Sequence, residues 1–303
     1  MYDIIIVGGG CAGLTAAVYA RRASKSVLLF ENQVYGGQIS FSPSVENYPG
    51  FTNISGLDLS DKIYRQASSL GAETSFETVT GIESGKDTKT VITDSGKYTC
   101  KAVIIAAGLK HRKTGLDNEE KLTGRGVSYC AVCDGAFFRG KDVAVYGGGN
   151  TALQDAAFLA DLCSSVTLIH RRDSFRADAH VTAALKEKSN VSYMLNSTVT
   201  AINGENMLES VSVTDKLSGT VRELKVSGLF VAIGHIPQNE PFKPLIQLDE
   251  HGFIAAGEDC RTSEEGIFSA GDCRSKEIRQ LTTAAADGAV AATNACRYID
   301  SLL

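Results

Sequence analysis

Short apolar runs that end in glycine recur along this chain, and the first begins at Tyr2. Residues Tyr2–Val7 are apolar, an alanine-rich segment with helical spacing covers 13–24, and Val27–Phe30 is a second apolar run that stops at Glu31. Apolar β-rich runs on either side of a helical segment predict a βαβ unit at the start of the chain.

The same arrangement returns in the middle of the chain. Apolar runs at Val143–Tyr146 and Val166–Ile169 flank a helical segment over 151–161. Because the βαβ unit recurs, we expect two nucleotide-binding domains and not one large sheet.

Three more apolar runs, at 102–106, 229–233 and 266–270, each lead into a glycine, and an alanine-rich helix is expected over 280–298. Ligands of α/β sheets bind at the carboxyl ends of the strands, where glycine lets a cofactor approach the backbone. The predicted fold class is α/β, with two Rossmann-like nucleotide-binding domains of the three-layer ββα type, one inserted into the other.

Two segments are candidate linkers between these domains. Pro237, Pro241 and Pro244 predict a stiff extended stretch, and Leu109–Asn118 is polar without periodicity. We therefore expect an inserted domain over 115–243, between the two parts, 1–114 and 244–303, of a discontinuous domain.

Composition narrows the class of protein. The chain has 303 residues, of which 43% are hydrophobic, and its net charge is −5, without a basic stripe for nucleic acid or a basic patch for a membrane. No signal peptide precedes the first strand and no apolar run reaches the roughly 18 residues of a spanning helix. A cytoplasmic protein is therefore expected.

Six scattered cysteines are expected to be small buried residues: Cys11, Cys100, Cys163, Cys260, Cys273 and Cys296.

Gly8-x-Gly10-x-x-Gly13 is the first dinucleotide fingerprint. Gly8 permits the tight turn, Gly10 lets the backbone reach a pyrophosphate, and Gly13 allows the helix to pack closely on the strand. Glu31 ends the second strand, where a carboxylate binds a ribose hydroxyl. An ordinary glycine-rich turn is the alternative.

Gly147-x-Gly149-x-x-Ala152 is the second fingerprint, and its second strand ends in cations. His170, Arg171 and Arg172 follow that strand, and Arg176 lies a little further on. Cations at this place favour a 2′-phosphate through charge-assisted hydrogen bonds, so NADPH is preferred over NADH. The alternative is a solvated basic cluster at a helix start.

Cys130-x-x-Cys133 lies between the two fingerprints. It could be half a zinc site, but neither the other cysteines nor the five histidines supply a second pair of ligands at close spacing. A redox disulfide is therefore preferred, and no metal is expected. Asp134 could relay the proton that dithiol chemistry moves, or it could be only the turn residue of Asp-Gly.

Many motifs occur in one order along almost the whole chain. They are Gly8-Gly9-Gly10-Cys11-Ala12-Gly13, Gly36-Gly37-Gln38, Val45-Glu46-Asn47-Tyr48-Pro49-Gly50, Ala106-Ala107-Gly108, Cys130-Ala131-Val132-Cys133-Asp134-Gly135, Gly147-Gly148-Gly149-Asn150-Thr151-Ala152, His170-Arg171-Arg172-Asp173-Ser174-Phe175-Arg176-Ala177, Gly234-His235-x-Pro237 and Gly271-Asp272. Together they resemble the low-molecular-weight bacterial thioredoxin reductases. The larger disulfide reductases keep a CxxxxC pair near the first fingerprint and add a C-terminal domain, and this sequence has neither feature.

The resemblance implies cofactors, partners and site residues. It implies FAD on the discontinuous domain, NADPH on the inserted domain, thioredoxin as substrate and a homodimer. It implies that Cys133 lies beside the flavin, that Cys130 attacks thioredoxin, and that Asp134 is the acid–base residue. Arg125 and Phe137 would lie on the surface that contacts thioredoxin. Further implied cofactor contacts are Gly37, Gln38, Asn47, Gly108, Gly271, Asp272, Arg279 and Gln280 for FAD, and Asn150 and Thr151 for NADPH.

The leading hypothesis is a thioredoxin-disulfide reductase that passes electrons from NADPH through FAD and Cys130–Cys133. Since the cysteine pair and the second fingerprint share the inserted domain, that domain is expected to rotate between half-reactions. Alternatives are reduction of another carrier, electron supply from ferredoxin, a dithiol oxidase acting on a small metabolite, and a flavin-binding regulator without turnover. The arginine cluster argues against ferredoxin, and the intact cysteine pair argues against the regulator.

Overall fold

The chain folds into two compact units, as seen in a computed structural model that describes residues 1–42 and 45–302. One unit comprises Met1–Lys110 and Ile236–Leu303, and the other comprises His111–His235. The chain leaves the first unit once and returns once, so the second unit is an insertion. The crossings fall at 110–111 and 235–236, instead of the expected 114–115 and 243–244.

The second crossing lies earlier because the proline-containing segment is not a linker. Glu240–Phe242 forms a turn of 3-10 helix, and Phe242 packs with Ile246 in the core of the first unit. The prediction of an extended stretch through Pro244 was therefore wrong: a buried phenylalanine anchors this segment. Leu109–His111 and His235–Pro237, which contain the two crossings, pair as short strands.

The strands of the described residues have the following bounds: β1 Tyr2–Val7, β2 Val27–Glu31, β3 Glu73–Phe76, β4 Val79–Ser84, β5 Lys89–Thr93, β6 Lys97–Ile105, β7 Leu109–His111, β8 Val127–Ser128, β9 Asp142–Gly147, β10 Ser165–Ile169, β11 Val191–Met194, β12 Ser197–Asn203, β13 Ser210–Asp215, β14 Val221–Lys225, β15 Gly228–Ala232, β16 His235–Pro237 and β17 Ile267–Ser269. The helices are α1 Cys11–Arg22, α2 Gly56–Ser69, α3 Glu119–Leu122, α4 Ala131–Asp134, α5 Asn150–Ala160, α6 Ala179–Lys186 and α7 Leu281–Ser301.

The first unit is built on a sheet in the order β3-β2-β1-β6-β5-β4, with β17 also pairing with β6. Strands β3, β2, β1, β6 and β17 run parallel, and β5 pairs antiparallel with β6 on one side and with β4 on the other. Alternate residues of β1 point to opposite faces: Ile4 and Ile6 pack under α1 and α7, and Ile5 and Val7 pack on the other side. Both faces are covered, which explains the continuous apolar runs.

The second unit contains an all-parallel sheet in the order β11-β10-β9-β15-β8. Helix α5 covers one face of this sheet, with Leu153 and Leu159 in the core. The antiparallel sheet β12-β13-β14 covers the other face through Val211 and Val213. The unit therefore has the three-layer ββα arrangement that the sequence predicts.

The elements predicted from the hydrophobic pattern are confirmed. Strands β1, β2, β9 and β10 lie where the apolar runs placed them, although α1 begins two residues before the expected 13. The six scattered cysteines are free and buried. Among the described residues, no helix combines the length and the apolar character needed to cross a membrane.

Candidate functional site

The first glycine-rich loop joins β1 to α1 and leaves no space for a side chain at two positions. Gly8 has φ +105°, and a Cβ atom there would lie 2.3 Å from the carbonyl oxygen of Ala106. A Cβ atom at Gly13 would lie 1.9 Å from the carbonyl oxygen of Gly8. At Gly10 the nearest atom to a Cβ is the carbonyl oxygen of Gly36, at an ordinary 3.8 Å. The backbone of Gly10 is thus open to an anion at the N-terminus of α1.

Glu31 closes this loop from the end of β2. Its Oε2 accepts a hydrogen bond of 2.8 Å from the N–H of Gly9, and its Oε1 accepts from the N–H groups of Asn32 and Gln33. Three backbone donors therefore hold one carboxylate beside the glycine-rich loop. This is the position from which an acid binds the ribose hydroxyls of a dinucleotide.

The segment that follows β2 brings Gly37 and Gln38 to the same loop. The N–H of Gly36 donates to the carbonyl oxygen of Gly9 at 2.7 Å, and a Cβ at Gly37 would lie 3.4 Å from the Cα of Gly10. Backbone pairing thus places Gly37 next to the first fingerprint, at the start of the 3-10 helix Gly37–Phe41 that contains Gln38.

Asp272 lies in a 3-10 turn, Gly271–Cys273, that follows β17. Its Oδ1 is buried and has no hydrogen-bond partner within the described residues, and burial raises the pKa of this carboxyl. The N–H of Gly271 donates to Asp287 at 3.0 Å and fixes the turn. A buried acceptor without a partner is costly, so Asp272 fits a ligand that brings a hydroxyl or N–H donor.

Of the other residues predicted to contact FAD, Arg279 lies beside Asp272 and Asn47 lies beside Gln280. The guanidinium of Arg279 lies 4.2 Å from the ring centre of Phe253, and its Nε donates to the carbonyl oxygen of Asp272 at 3.5 Å. Asn47 donates to the side-chain oxygen of Gln280 at 3.2 Å. Gly108 has φ +60° and open space around its missing Cβ.

The second glycine-rich loop joins β9 to α5. A Cβ at Gly147 would lie 2.2 Å from the carbonyl oxygen of Ala232, whereas Gly149 is open. A Cβ at Gly148 would lie 2.1 Å from Nδ1 of His170, so the imidazole packs directly on the loop. The N–H of Arg176 donates to the carbonyl oxygen of Gly148 at 2.8 Å.

A cavity of about 500 Å³ opens at this loop, inside the second unit. Arg171, Arg172 and Arg176 line it, and within the described residues no carboxylate lies within ion-pair distance of them. Burial lowers the pKa of His170. Three exposed guanidinium groups without acidic partners suit a doubly charged phosphate. Thr151 also lines the cavity, while Asn150 is held by Asp178 through two hydrogen bonds.

Cys130 and Cys133 form a disulfide at the short helix α4. The N–H of Cys133 donates to Sγ of Cys130 at 3.2 Å, Cys130 is half-buried and Cys133 is exposed. Asp134 accepts a hydrogen bond of 2.6 Å from the hydroxyl of Ser128. Phe137 is 74% exposed, which leaves a large apolar side chain on the surface close to the pair.

Sequence reasoning missed part of the cavity wall. The ring of His111 lies 4.8 Å from that of His235 and 5.8 Å from that of Tyr129. Burial, with a smaller effect of His235, lowers the pKa of His111 to about 4. The hydroxyl of Tyr129 donates to Glu119 at 2.7 Å. His111 lies in a polar segment without periodicity, and no local signal placed it beside the second fingerprint.

The geometry defines a class of protein: two dinucleotide-type loops with a disulfide on one of the two units. Comparison with known proteins identifies the same class. The family model for pyridine nucleotide-disulphide oxidoreductases matches residues 2–288. A thioredoxin reductase of Bacillus subtilis is 43% identical over 303 residues, covering 100% of this chain and 96% of its own.

Solved structures give the same result. A thioredoxin reductase of Lactococcus lactis has a TM-score of 0.96 at 40% identity, with coverage of 99% of this chain and 100% of its own. A thioredoxin reductase of T. acidophilum has a TM-score of 0.93 at 33% identity, with coverage of 100% and 99%.

The chain belongs to the pyridine nucleotide-disulphide oxidoreductase family. The resemblance to thioredoxin reductases is confirmed, and so is the α/β fold with Rossmann-like domains. The predicted pair of cofactors, FAD and NADPH, is that of the thioredoxin reductases of this family.

Proposed function

We propose that this protein reduces the disulfide of thioredoxin with electrons from NADPH, through FAD and the Cys130–Cys133 pair. One NADPH, one proton and one thioredoxin disulfide give one NADP⁺ and one thioredoxin dithiol. The disulfide at Cys130 and Cys133, followed directly by the carboxyl of Asp134, is the observation that carries the proposal.

The first unit is proposed to hold FAD. Gly10 would receive the pyrophosphate in the loop that Gly8 and Gly13 shape. Glu31 would bind the ribose hydroxyls, and the unpartnered Oδ1 of Asp272 would accept a hydrogen bond from the ribityl chain. By resemblance, Gly37, Gln38, Asn47, Gly108, Gly271, Arg279 and Gln280 complete this site. When bound, FAD supplies the two-electron chemistry between nicotinamide and disulfide.

The second unit is proposed to hold NADPH in the cavity at Gly147 and Gly149. The three arginines of the cavity wall support a preference for NADPH over NADH, since NADH lacks the 2′-phosphate. Thr151 and His170 line the same cavity, and by resemblance Asn150 completes the site.

The cysteines are proposed to have separate roles in the thioredoxin step. Asp134 takes the proton of the Cys130 thiol, and the thiolate attacks one sulfur of the thioredoxin disulfide. The other thioredoxin sulfur leaves as a thiolate and receives that proton. Cys133 then gives its proton to Asp134 and attacks Sγ of Cys130, and the second thioredoxin sulfur leaves and is protonated in turn. Two electrons and two protons thus pass from the dithiol to thioredoxin.

Four further expectations are proposals, of which the thioredoxin contact and the homodimer come from the resemblance. They are rotation of the inserted domain between half-reactions, thioredoxin contact through Arg125 and Phe137, a homodimer, and a cytoplasmic location.

The test compares Cys130→Ser and Cys133→Ser with the unchanged protein. Each variant should lose thioredoxin reduction, since a single thiol cannot complete the exchange, while NADPH should still bleach the flavin. Cys163→Ser, which changes a free buried cysteine of the same unit, is the control and should keep its turnover. Normal thioredoxin turnover in either pair variant would exclude this mechanism.

A further inference from the structure

Ser128 ends β8 two residues before the first cysteine of the pair, and its side chain is only 3% exposed. Its Oγ lies 2.6 Å from Oδ2 of Asp134. The same Oγ lies 3.1 Å from the backbone nitrogen of Cys130 and 3.3 Å from the carbonyl oxygen of Cys130. One hydroxyl therefore contacts both the Asp134 carboxyl and the backbone of the half-buried cysteine.

This hydroxyl has a partner for its proton in either state of Asp134. A serine hydroxyl donates one hydrogen bond and can accept two. When Asp134 is charged, Ser128 donates to the carboxylate and accepts from the N–H of Cys130. When Asp134 is protonated, its O–H can donate to Ser128, whose own proton turns to the carbonyl oxygen of Cys130. In both arrangements the proton of the buried hydroxyl has an acceptor and its oxygen accepts at least one hydrogen bond, which avoids the cost of an unpartnered group.

The two ends of this contact differ in rigidity. Ser128 is held in the parallel sheet, where it pairs with Phe230 of β15. Asp134 lies on α4, a helix of four residues that is too short to be stable by itself. A hydrogen bond from the sheet therefore restrains a carboxyl whose own element supplies little restraint.

We propose that Ser128 is a positioning residue for the dithiol reaction, and that its hydroxyl holds the Asp134 carboxyl at the redox pair in both protonation states. The direction of one hydrogen bond reverses when Asp134 gains or loses a proton. This inference rests on the proposed function, in which Asp134 takes a proton from a cysteine thiol and returns it to a departing thioredoxin sulfur. No electron or proton is needed beyond those of that exchange.

The test uses Ser128→Ala in the FAD-loaded protein. The matched control is Ser165→Ala, because Ser165 donates to Asp142 at the same 2.6 Å in the same unit. Ser128→Ala should lower kcat for thioredoxin about tenfold, as expected for loss of a hydrogen bond to a charged group, and leave KM unchanged. The rate at which NADPH reduces the bound flavin should stay that of the unchanged protein. Ser128→Thr, which keeps the hydroxyl, should turn over within about twofold of the unchanged protein.

A double-mutant cycle separates this role from a structural one. If Ser128 acts through Asp134, Ser128→Ala should have no further effect on turnover in an Asp134→Ala background. An equal loss in both backgrounds overturns the proposal, as does a Ser128→Ala variant that behaves like Ser165→Ala. The proposal is also overturned if Ser128→Thr lowers kcat for thioredoxin as much as Ser128→Ala does. Failure of the proposed function is distinguishable, because the unchanged protein would then not reduce thioredoxin.

Discussion

The two glycine-rich loops of this chain share one backbone plan and differ in the residue that ends the second strand. In the first loop Glu31 accepts a hydrogen bond from the N–H of Gly9. In the second loop the ring of His170 packs on Gly148, the equivalent middle glycine, and the arginines follow. The same position thus contacts the same glycine in both units, once with an anion and once with an imidazole beside cations.

If the proposed cofactors bind here, the loop supplies the fit to a pyrophosphate and the strand end supplies the choice of dinucleotide. Backbone clearance requires glycine at Gly13 in the first loop and at Gly147 in the second, where a Cβ atom would lie 1.9 Å and 2.2 Å from a carbonyl oxygen. A carboxylate at the strand end suits free ribose hydroxyls, and cations suit a 2′-phosphate. Substitutions in the loops and at the strand ends, and a change of pH, test this assignment.

The largest effect is expected from the last position of each fingerprint, which is Gly13 in one loop and Ala152 in the other. In Gly13→Ala the new Cβ would lie 1.9 Å from the carbonyl oxygen of Gly8, which forces the loop out of shape. We expect the purified variant to keep less than about a tenth of its flavin, since backbone clashes of this kind are among the severe mechanisms. Flavin absorbance per polypeptide measures this.

The matched control is Ala152→Gly, which makes the second loop resemble the first. It should cost only about 1 kcal/mol of helix stability and leave flavin content unchanged. Full flavin retention in Gly13→Ala would show that the first loop is not constrained by clearance.

The strand-end cations should decide between NADPH and NADH. Changing Arg171, Arg172 and Arg176 together to Ala removes the charged groups that face the cavity. KM for NADPH should rise at least about 100-fold, because each charge-assisted bond contributes about 1.5–3 kcal/mol. KM for NADH should barely change. Steady-state kinetics with both nucleotides measure the ratio, and Arg222→Ala, on β14 outside the cavity, is the control. Equal changes for both nucleotides would show that the cluster is not a specificity element.

Some parts of these two units can be predicted from the sequence, and others depend on tertiary packing. Strands β1 and β9, their loops and the residues Glu31 and His170 are local in sequence, so hydrophobic period and glycine spacing locate them. The antiparallel strands β12–β14 carry no such fingerprint, and their role as the second cover of the sheet depends on tertiary packing. His111 and His235 are 124 positions apart and meet only because both crossings of the chain run side by side.

The strand-end carboxylate is expected to have a smaller effect than the arginines. Glu31→Gln keeps the size of the side chain but replaces a charged acceptor that binds three backbone N–H groups. We expect FAD to dissociate about tenfold more readily, which corresponds to about 1.4 kcal/mol. Titration of the flavin-free protein with FAD measures this. Asp61→Asn, which changes an exposed acid paired with Arg65 in the same unit, should not alter the affinity. An unchanged FAD affinity in Glu31→Gln would remove this residue from the site.

The smallest effect concerns pH and the second unit, which contains the described histidines whose pKa is lowered: His111, His170 and His235. Burial lowers the pKa of His111 to about 4, from 6.5 in the unfolded chain. Between these values the unfolded state binds more protons, so the free energy of unfolding falls as the pH drops from 6.5 to 4. Because the ring is only partly buried, its contribution to this fall in the free energy of unfolding is about 1 kcal/mol. His111→Phe should therefore lose less stability between pH 7 and about 4.5 than the unchanged protein, measured by urea unfolding without nucleotide. His251→Phe, which alters an exposed histidine of the first unit, should follow the unchanged protein. If both variants lost the same free energy of unfolding over this pH range, the partly buried ring of His111 would not contribute to acid sensitivity.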